Sequence, residues 1–145
     1  MQTTVRDLLR NKGGVVNSVR ANHSVFEVVQ KFIEHNIGAV LVMNGTELVG
    51  IVSERDVVRA MAGNAAAVVQ KSAADIMTAK VRTCSPNDTE ADLVALMTEH
   101  RIRHLPVLSN GKIAGMISIG DVVKHRMESM EQEAEQMKTY IASAG

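Results

Sequence analysis

An internal repeat at an offset of 65 residues constrains the fold of this chain more than any other feature. Twelve residues of the first copy recur in one register without a gap: Val16, Asn22, Val29, Glu34, His35, Ile37, Val42, Gly50, Ser53, Asp56, Val57 and Val58. So many identities at a fixed offset indicate that one structural unit is present twice. Asp7 recurs as Asp75 at an offset of 68, so the first copy carries three extra residues around positions 12–14.

Each copy begins with a short apolar run that predicts a strand, at residues 15–19 and at residues 81–84. A helix follows each run, because Ser24 and Thr89 each precede an acidic residue by three positions, which is the signature of a capping box. Apolar residues then recur at helical spacing and predict the core-facing sides of the two helices: Val25, Val28, Val29, Phe32, Ile33, Leu93, Leu96 and Met97.

A β-hairpin comes next in each copy. The first turns at residues 44–47, and the second turns at residues 109–111, where Asn-Gly supplies the positive backbone angles of a tight turn. Gly111 and Lys112 therefore belong to this turn, since the rest of a phosphate-binding P-loop is missing from the sequence. The second strand of each hairpin runs into a last helix, which opens at Ser53 or at Ser118.

Each unit thus has the order β-α-β-β-α in about 60 residues, a size at which one sheet and two helices bury little apolar surface. Two units packed sheet to sheet about a pseudo-two-fold axis share a core, so the predicted fold class is α/β (α+β). We expect the first repeat at residues 1–64, a linker at 65–71, the second repeat at 72–127 and a C-terminal helical tail at 128–145.

The tail continues the last helix with apolar residues mostly three or four positions apart: Met127, Met130, Ala134, Met137 and Ile141. Such a stripe needs a surface that covers it. Packing on its own domain and contact with a second copy of the chain are the two alternatives. We favour the second, which predicts a homodimer.

Composition argues against several classes of function. Sixteen basic and sixteen acidic residues cancel, so no general field attracts nucleic acid or a membrane surface. Three aromatic residues offer few platforms on which bases can stack. No apolar run reaches the roughly 20 residues of a membrane span, and the first residues lack the apolar block of a signal peptide. Because Cys84 is the single cysteine, we expect a cytoplasmic protein without disulfides.

A repeated turn with the pattern Gly-x-x-Ser-x-x-Asp, at residues 50–56 and 115–121, has two interpretations. Its serine and aspartate form a capping box, which occurs on helices that have no function. Alternatively, the turn places both side chains at a helix N-terminus, where free N–H groups favour an anion and a carboxylate can accept both hydroxyls of a ribose. The second interpretation predicts a nucleoside phosphate site.

A basic segment at residues 101–107 precedes the second hairpin. Arg103 or His104 can neutralise a phosphate there, and arginine does so with bidentate geometry. Solvated charges beside a strand are the alternative interpretation. The first copy has Gly38 and Ala39 at the corresponding positions, so two sites formed by the two repeats cannot be equivalent.

Catalysis finds little support in the sequence. His100 and His104 are four residues apart, a spacing that puts two metal ligands on one face of a helix. The predicted helix ends near His100, so this face does not persist and we expect no metal site. No Ser-His-Asp order and no activated cysteine emerge, and we expect no enzymatic activity.

With the repeat, the order of elements and both turns, the chain resembles a tandem CBS-domain protein, a pair also called a Bateman module. The resemblance is most specific in the second copy, where the motifs of the family follow in order: Asp75-Ile76-Met77-Thr78, Val81-Arg82-Thr83, residues 85–89, residues 103–107 and residues 115–121. It implies a regulatory module for signal transduction and energy sensing, which binds AMP, ADP, ATP, NAD or S-adenosylmethionine between the repeats and associates as a homodimer.

Together with the turn pattern, the resemblance assigns residues to two sites. The second-repeat site comprises Val81, Thr83, Arg103, His104, Leu105, Pro106, Ser118, Gly120 and Asp121. The first-repeat site comprises Val16, Ser18, Gly38, Ala39, Val40, Ser53, Arg55 and Asp56. The family uses the turn aspartate for the ribose and the turn serine near ribose or phosphate. We therefore expect an adenine nucleotide and a protein effector as partners; the rival hypothesis is a ligand-free dimerising adaptor whose turns are only helix caps.

Overall fold

The structure is a computed structural model that describes residues 2–144. Met1 and Gly145, at the outer ends of the predicted first repeat and tail, lie outside the described residues. In chain order the elements are α1 (Val5–Lys12), β1 (Ser18–Arg20), α2 (Val25–His35), β2 (Ala39–Asn44), β3 (Glu47–Ser53), α3 (Glu54–Val68), α4 (Ala73–Ile76), α5 (Glu90–His100), β4 (His104–Ser109), β5 (Lys112–Ser118) and α6 (Ile119–Ala144).

Two small sheets form the centre of the fold and confirm the predicted architecture. β2 lies between β1, to which it is parallel, and β3, to which it is antiparallel; β4 and β5 form an antiparallel pair. The sheets face each other through a shared apolar cluster whose buried members are Ala39, Leu41 and Met116. Alternate residues of the same strands point to two further cores, one for each repeat.

The leading strand is shorter than predicted. β1 begins three residues later than expected, and the N–H of Leu41 donates to the carbonyl of Asn17 just ahead of it. The residue of the second repeat that corresponds to Leu41 is Pro106, which has no N–H to donate. Only Cys84 is bridged to β4, so the prediction of a strand over residues 81–84 is wrong for the first three of them. The proline accounts for Thr83, which corresponds to Ser18; Val81 and Arg82 correspond to Val16 and Asn17, which also lie outside β1.

Two helix predictions also need correction. Ile33, expected in the core, is 78% exposed because it lies at the edge of the apolar side of α2. α3 extends to Val68 and thus into the predicted linker, but Asn64 interrupts its helical geometry with a φ of −155°. The side-chain oxygen of Asn64 accepts the N–H of Ala67, so a last helical turn begins there.

The leading helices are exchanged between the repeats. α1 precedes the first repeat, yet Val5 and Leu8 are buried in the core of the second. α4 precedes the second repeat, yet Ala73 is buried in the core of the first. Each core is therefore completed by a helix from the other half of the chain. Corresponding backbone bridges hold the two helices in place: Thr4 with Thr89, and Ser24 with Ser72.

α6 confirms the predicted tail. Its Val122 is buried in the second core, and Ser129 is the last residue of the helix that is partly covered. Every described residue from position 130 to position 144 is exposed. Within residues 2–144, no helix combines the length and the apolar character that crossing a membrane requires.

Gly50 and Gly115, the first residues of the two turns, are positions where the exchanged helices approach the hairpins. A Cβ on Gly115 would lie 2.6 Å from Cδ2 of Leu9 in α1. A Cβ on Gly50 would clash with the thioether of Met77 and would lie 3.2 Å from the carbonyl oxygen of Thr78. Gly50 is thus the more tightly constrained of the two, because it meets backbone as well as a side chain, whereas Gly115 meets only the flexible side chain of Leu9.

We expect Gly50→Ala to lower the free energy of unfolding by about 1–3 kcal/mol, since Met77 and the backbone at Thr78 must move. Gly63→Ala is the matched control, because Gly63 is an exposed residue of α3 whose Cβ would meet nothing within 4 Å. This control should gain about 0.5–1 kcal/mol. Urea denaturation measures both, and equal stability of the two variants would contradict the packing argument.

Candidate functional site

A cleft of about 770 Å³ opens between the two repeats. Its walls come mainly from residues 51–59 around the turn of the first repeat, residues 78–82 after α4, residues 100–104 ahead of β4 and residues 118–120 in the turn of the second repeat. Sites for small ligands typically have volumes of about 300–1,000 Å³. The cleft therefore has the size of a ligand site, and both repeats form it.

Basic side chains are concentrated in this cleft, although the chain as a whole has no net charge. Its acidic lining residues are Glu54 and Asp56. Its lysine and arginine lining residues are Arg55, Arg59, Lys80, Arg82, Arg101 and Arg103. A concave surface with such an excess of positive charge attracts anions, and arginine binds phosphate with two parallel hydrogen bonds.

Asp56 is buried, with 7% of its surface exposed, and its two carboxylate oxygens have different partners. Oδ2 accepts the N–H of Ser53 at 2.8 Å and its hydroxyl at 3.0 Å, which completes the capping box. Oδ1 accepts the hydroxyl of Thr78 at 3.0 Å, and the guanidinium of Arg59 lies 3.8 Å away. Capping thus occupies Oδ2, while Oδ1 retains the capacity for a further hydrogen bond.

Asp121, the corresponding residue of the second turn, is paired with a lysine. Its Oδ2 accepts the N–H of Ser118 at 2.7 Å, the hydroxyl of Ser118 at 2.9 Å and the ammonium of Lys12 at 2.8 Å. Burial alone raises the pKa of Asp121, but the hydrogen bonds from Lys12 and from the Ser118 backbone outweigh it and hold the pKa below its ordinary value. The carboxylate is therefore charged at neutral pH.

Thr78 and Lys12 take corresponding positions at the two turns. The N–H of Thr78 donates to the carbonyl of Ile51 at 2.9 Å, and its hydroxyl donates to the turn aspartate. The ammonium of Lys12 donates to the carbonyl of Met116 at 2.6 Å and to Asp121. The first turn thus has a neutral partner and the second has a cation, so the two turns differ in chemistry.

His104 lies between the two turns, at the start of β4. A Cβ on Gly38 would lie 3.4 Å from its Cε1 atom, so the glycine leaves room for the imidazole. Burial lowers the pKa of His104 below its ordinary value, and Lys12 lowers it further, whereas the carboxylates of Glu54 and Asp121 act in the opposite direction. His104 is therefore uncharged at neutral pH, and the positive charge of the Arg103–His104 pair resides on Arg103.

The structure brings nine of the predicted site residues to the cleft: Gly38, Ser53, Arg55, Asp56, Val81, Arg103, His104, Ser118 and Gly120. They come from both predicted sites, so the cleft does not follow the division by repeat. The cause is the exchange of α4, because the segment behind it pairs with β3 of the first repeat through a bridge from Thr78 to Ile51. Val81 consequently lies opposite the turn of the first repeat.

Eight predicted site residues are absent from the lining of this cleft: Val16, Ser18, Ala39, Val40, Thr83, Leu105, Pro106 and Asp121. The side chains of Ala39, Val40 and Leu105 are fully buried, because β2 and β4 are covered on both faces. Those side chains belong to the core. Ser18 lines a separate depression beside β1, and Val16 packs against the cluster between the sheets.

Four residues with basic or hydroxyl side chains around the turns escape prediction from the sequence: Lys12, Arg59, Thr78 and Lys80. One of them carried a signal, since Thr78 ends the motif at residues 75–78. Their position depends on which repeat α1 and α4 pack against. No local pattern specifies that choice.

Cys84 does not supply a nucleophile. It is 7% exposed, and burial raises the pKa of its thiol to about 12, so the thiol is protonated at neutral pH. Among residues 2–144, no three His, Cys, Asp or Glu side chains converge in a group that can hold a metal ion.

Comparison with known proteins places the fold in one family. The sequence model of the CBS domain matches residues 5–63 and again residues 73–128. The CBS domain-containing protein CBSX3, mitochondrial, of Arabidopsis thaliana is 32% identical over 148 residues, which cover 96% of this chain and 72% of that protein.

Solved structures have the same architecture. The CBS-domain containing protein ATU1752 from Agrobacterium tumefaciens superposes with a TM-score of 0.84 at 46% identity, over 87% of this chain and 95% of that one. The CBS domain pair of protein MJ0100, solved in complex with methylthioadenosine and S-adenosyl-L-methionine, superposes with a TM-score of 0.74 at 25% identity, over 84% of this chain and 98% of that one. Sequence and structure agree, and the chain belongs to the CBS domain family, of which it carries two copies.

Proposed function

We propose that this CBS pair is a non-catalytic regulatory module that binds an adenosine-containing phosphate compound between its repeats and signals its occupancy to a protein effector. One observation carries the proposal: a single cleft combines the buried carboxylate of Asp56 with six lysine and arginine side chains. A nucleotide matches both features, because its ribose hydroxyls are donors and its phosphates are anions. AMP, ADP, ATP and NAD all meet this description.

The ribose fits the turn of the first repeat. Oδ1 of Asp56 accepts one ribose hydroxyl, and the hydroxyl oxygen of Thr78, which already donates to Asp56, accepts the other. A base needs apolar walls beside it, and the cleft offers these side chains: Ile51, Val58, Val81, Ile102 and Ile119.

The phosphates fit the opposite side of the cleft. Arg103 lines it, and Gly120 lies in the first turn of α6, where its N–H and the helix dipole favour an anion. The N–H groups of Ile119 and Asp121 are already engaged, by the carbonyl of Arg103 and the hydroxyl of Ser118. Arg55 is less available, since its guanidinium donates to the carbonyl of Arg101 at 2.6 Å. Arg103 is thus the principal phosphate ligand.

The MJ0100 domain pair supports the adenosine class, because its two ligands both contain adenosine and its fold is the same. The lining of the cleft in this chain discriminates within that class. Its excess of arginine and lysine opposes the sulfonium cation of S-adenosylmethionine and favours phosphate. A nucleotide is therefore the preferred ligand.

Occupancy passes to the effector through a homodimer. Val58 and Val123, which correspond in the two repeats, are 66% and 50% exposed. Exposed apolar residues at matching positions suit contact with a second copy. Val58 also lines the cleft, so a contact at α3 is sensitive to a bound ligand.

A cytoplasmic location stays a prediction, since the relative from Arabidopsis thaliana is named as mitochondrial.

A ligand-free dimerising adaptor is the second candidate, because both turns form hydrogen-bonded helix caps in the structure. The two candidates differ in what the purified protein carries. Nucleotide released by denaturing the protein, identified by its absorbance and mass, supports the sensor. No released nucleotide, together with no binding of AMP, ATP or NAD in calorimetry, supports the adaptor.

We expect Asp56→Asn to weaken AMP binding about 10- to 100-fold, since a hydrogen bond to a charged group contributes about 1.5–3 kcal/mol. Asp121→Asn is the matched control, because Lys12 already engages that carboxylate, and it should change affinity less than about threefold. Isothermal titration calorimetry measures both, and thermal unfolding verifies that each variant folds. A larger loss of AMP affinity in Asp121→Asn than in Asp56→Asn would indicate that the ribose binds at the second turn instead.

Arg103→Gln should weaken AMP binding about 10-fold or more and leave adenosine binding unchanged, because the lost charge faces the phosphate. Lys112→Gln removes a charge from the distant hairpin turn and should have no effect on either ligand. Raising the salt concentration should weaken AMP binding more in the wild type than in Arg103→Gln. Equal losses for AMP and adenosine would show that Arg103 does not contact phosphate.

The lowered pKa of His104 predicts a pH dependence. In the ligand-free protein, the imidazole of His104 should have a pKa below the ordinary histidine value of 6.5, as followed by NMR with His104→Gln as the assignment control. A phosphate bound nearby favours the protonated imidazole, so AMP should raise this pKa. A ligand-free pKa of 6.5 or above would contradict the prediction.

A further inference from the structure

The end of α6 extends away from the CBS domains. The second match to the family ends at residue 128, whereas the helix continues to Ala144. All residues at positions 130–144 are exposed. A helical segment of this length without tertiary contacts is marginal in water, so its stability requires a partner.

The exposed side of α6 carries a heptad repeat. Apolar and small residues follow one another at alternating intervals of four and three: Val123, Met127, Met130, Ala134, Met137, Ile141 and Ala144. This alternation defines a coiled-coil seam in which residues 127, 134 and 141 take position a and residues 123, 130, 137 and 144 take position d. The larger members of the seam are between 50% and 68% exposed.

The domain to which α6 belongs cannot cover this seam. Val122, His125 and Ser129 are the residues of its middle part that face the domain. At about 100° per residue, the seam is turned by roughly 120° from that side of the helix. The seam therefore points away from the domain along its whole length.

Charges beside the seam identify a second copy of the chain as its partner. In a parallel pair, position g of one helix lies next to position e of the following heptad in the other. Arg126 then meets Glu131 of the second copy, and Glu133 meets Lys138. Both combinations are attractive, and each occurs twice by symmetry. The bond from Arg126 to Glu90 uses Nε, which leaves the terminal nitrogens for the second copy.

An antiparallel pair is less favourable, because it places e beside e and g beside g. One antiparallel register opposes Glu131 to itself and Glu133 to itself. A second leaves Val123 outside the seam and has one attractive combination, Glu131 with Lys138, against two in the parallel arrangement. A third combines Lys124 with Glu131 and Arg126 with Glu133, but it leaves Met137, Ile141 and Ala144 outside the seam.

We propose that residues 123–144 form a parallel, in-register, two-stranded coiled coil with the same segment of a second copy. The inference shares the homodimer with the proposed function, but it locates a contact along α6, mostly beyond the second CBS domain, and needs no nucleotide. Alanines at residues 134 and 144 allow the two helices to approach closely.

Disulfide formation in the full-length chain tests orientation and register together. Ala134→Cys places a thiol at position a, which faces its own counterpart only in a parallel, in-register pair. Gln132→Cys is the matched control, since it lies on the opposite face of the same exposed helix. The native Cys84 is buried and its thiol pKa is about 12, so it does not compete.

With oxidised glutathione, Ala134→Cys should form a covalent dimer at least tenfold faster than Gln132→Cys, as resolved on a non-reducing gel. Equal rates, or no covalent dimer from Ala134→Cys, would overturn the inference. In the Ala134→Cys background, Glu133→Lys should slow the reaction severalfold and a further Lys138→Glu should restore it. A slower reaction that Lys138→Glu fails to restore would exclude the parallel arrangement.

Light scattering of the unchanged chain separates the two proposals. A dimer mass without cross-linking at residue 134 would support the homodimer and contradict the coiled coil. A monomer mass would contradict both. Calorimetry with nucleotides tests ligand binding in the cleft independently of the oligomeric state.

Discussion

Each leading helix of this protein closes the core of the repeat to which it does not belong in sequence. Val5 and Leu8 fill the second core, and Ala73 fills the first, so neither half of the chain has a complete core of its own. The two turn glycines are the positions at which these helices and the segments that follow them pack against the hairpins. Because the repeats are interlocked in this way, folding of one half depends on the other. The shared cores bury more apolar surface than a single unit of about 60 residues could bury alone.

The cleft owes its composition to the same exchange. α4 draws the segment behind it onto β3, which brings Thr78 to Asp56 and places Lys80 and Arg82 opposite the first turn. Arg103 arrives from the second repeat. A chain without net charge thus obtains a strongly basic cleft by assembling side chains that are distant in sequence. Anion binding in this protein is therefore a property of tertiary structure rather than of composition.

Much of the fold is predictable because its signals are local. The duplication gives the order of elements, Asn110 and Gly111 adopt the positive φ values that their turn requires, and Thr89 caps α5 through Asp92. The missing strand pairing of Thr83 follows from the absent N–H of Pro106, a non-local effect.

The candidate site is less predictable than the fold. Its aspartates and Arg103 are recognisable from the motif, but their grouping requires the exchange of α1 and α4. Lys12 shows the limit most clearly, because it lies in an insertion and more than 100 residues separate it from Asp121. Nothing in the residues next to Lys12 indicates that contact.

The bond between Lys12 and Asp121 also couples two events that are usually separate. Lys12 is the last residue of α1, so the seating of that helix and any occupant that displaces its ammonium from Oδ2 of Asp121 compete for one carboxylate oxygen. Linkage makes this competition reciprocal. An occupant that displaces Lys12 from Asp121 weakens the packing of α1, and a change that weakens the packing of α1 favours that occupant by the same free energy. The N-terminal helix thus supplies a cation to the second turn, whereas the segment behind α4 supplies a neutral hydroxyl to the first.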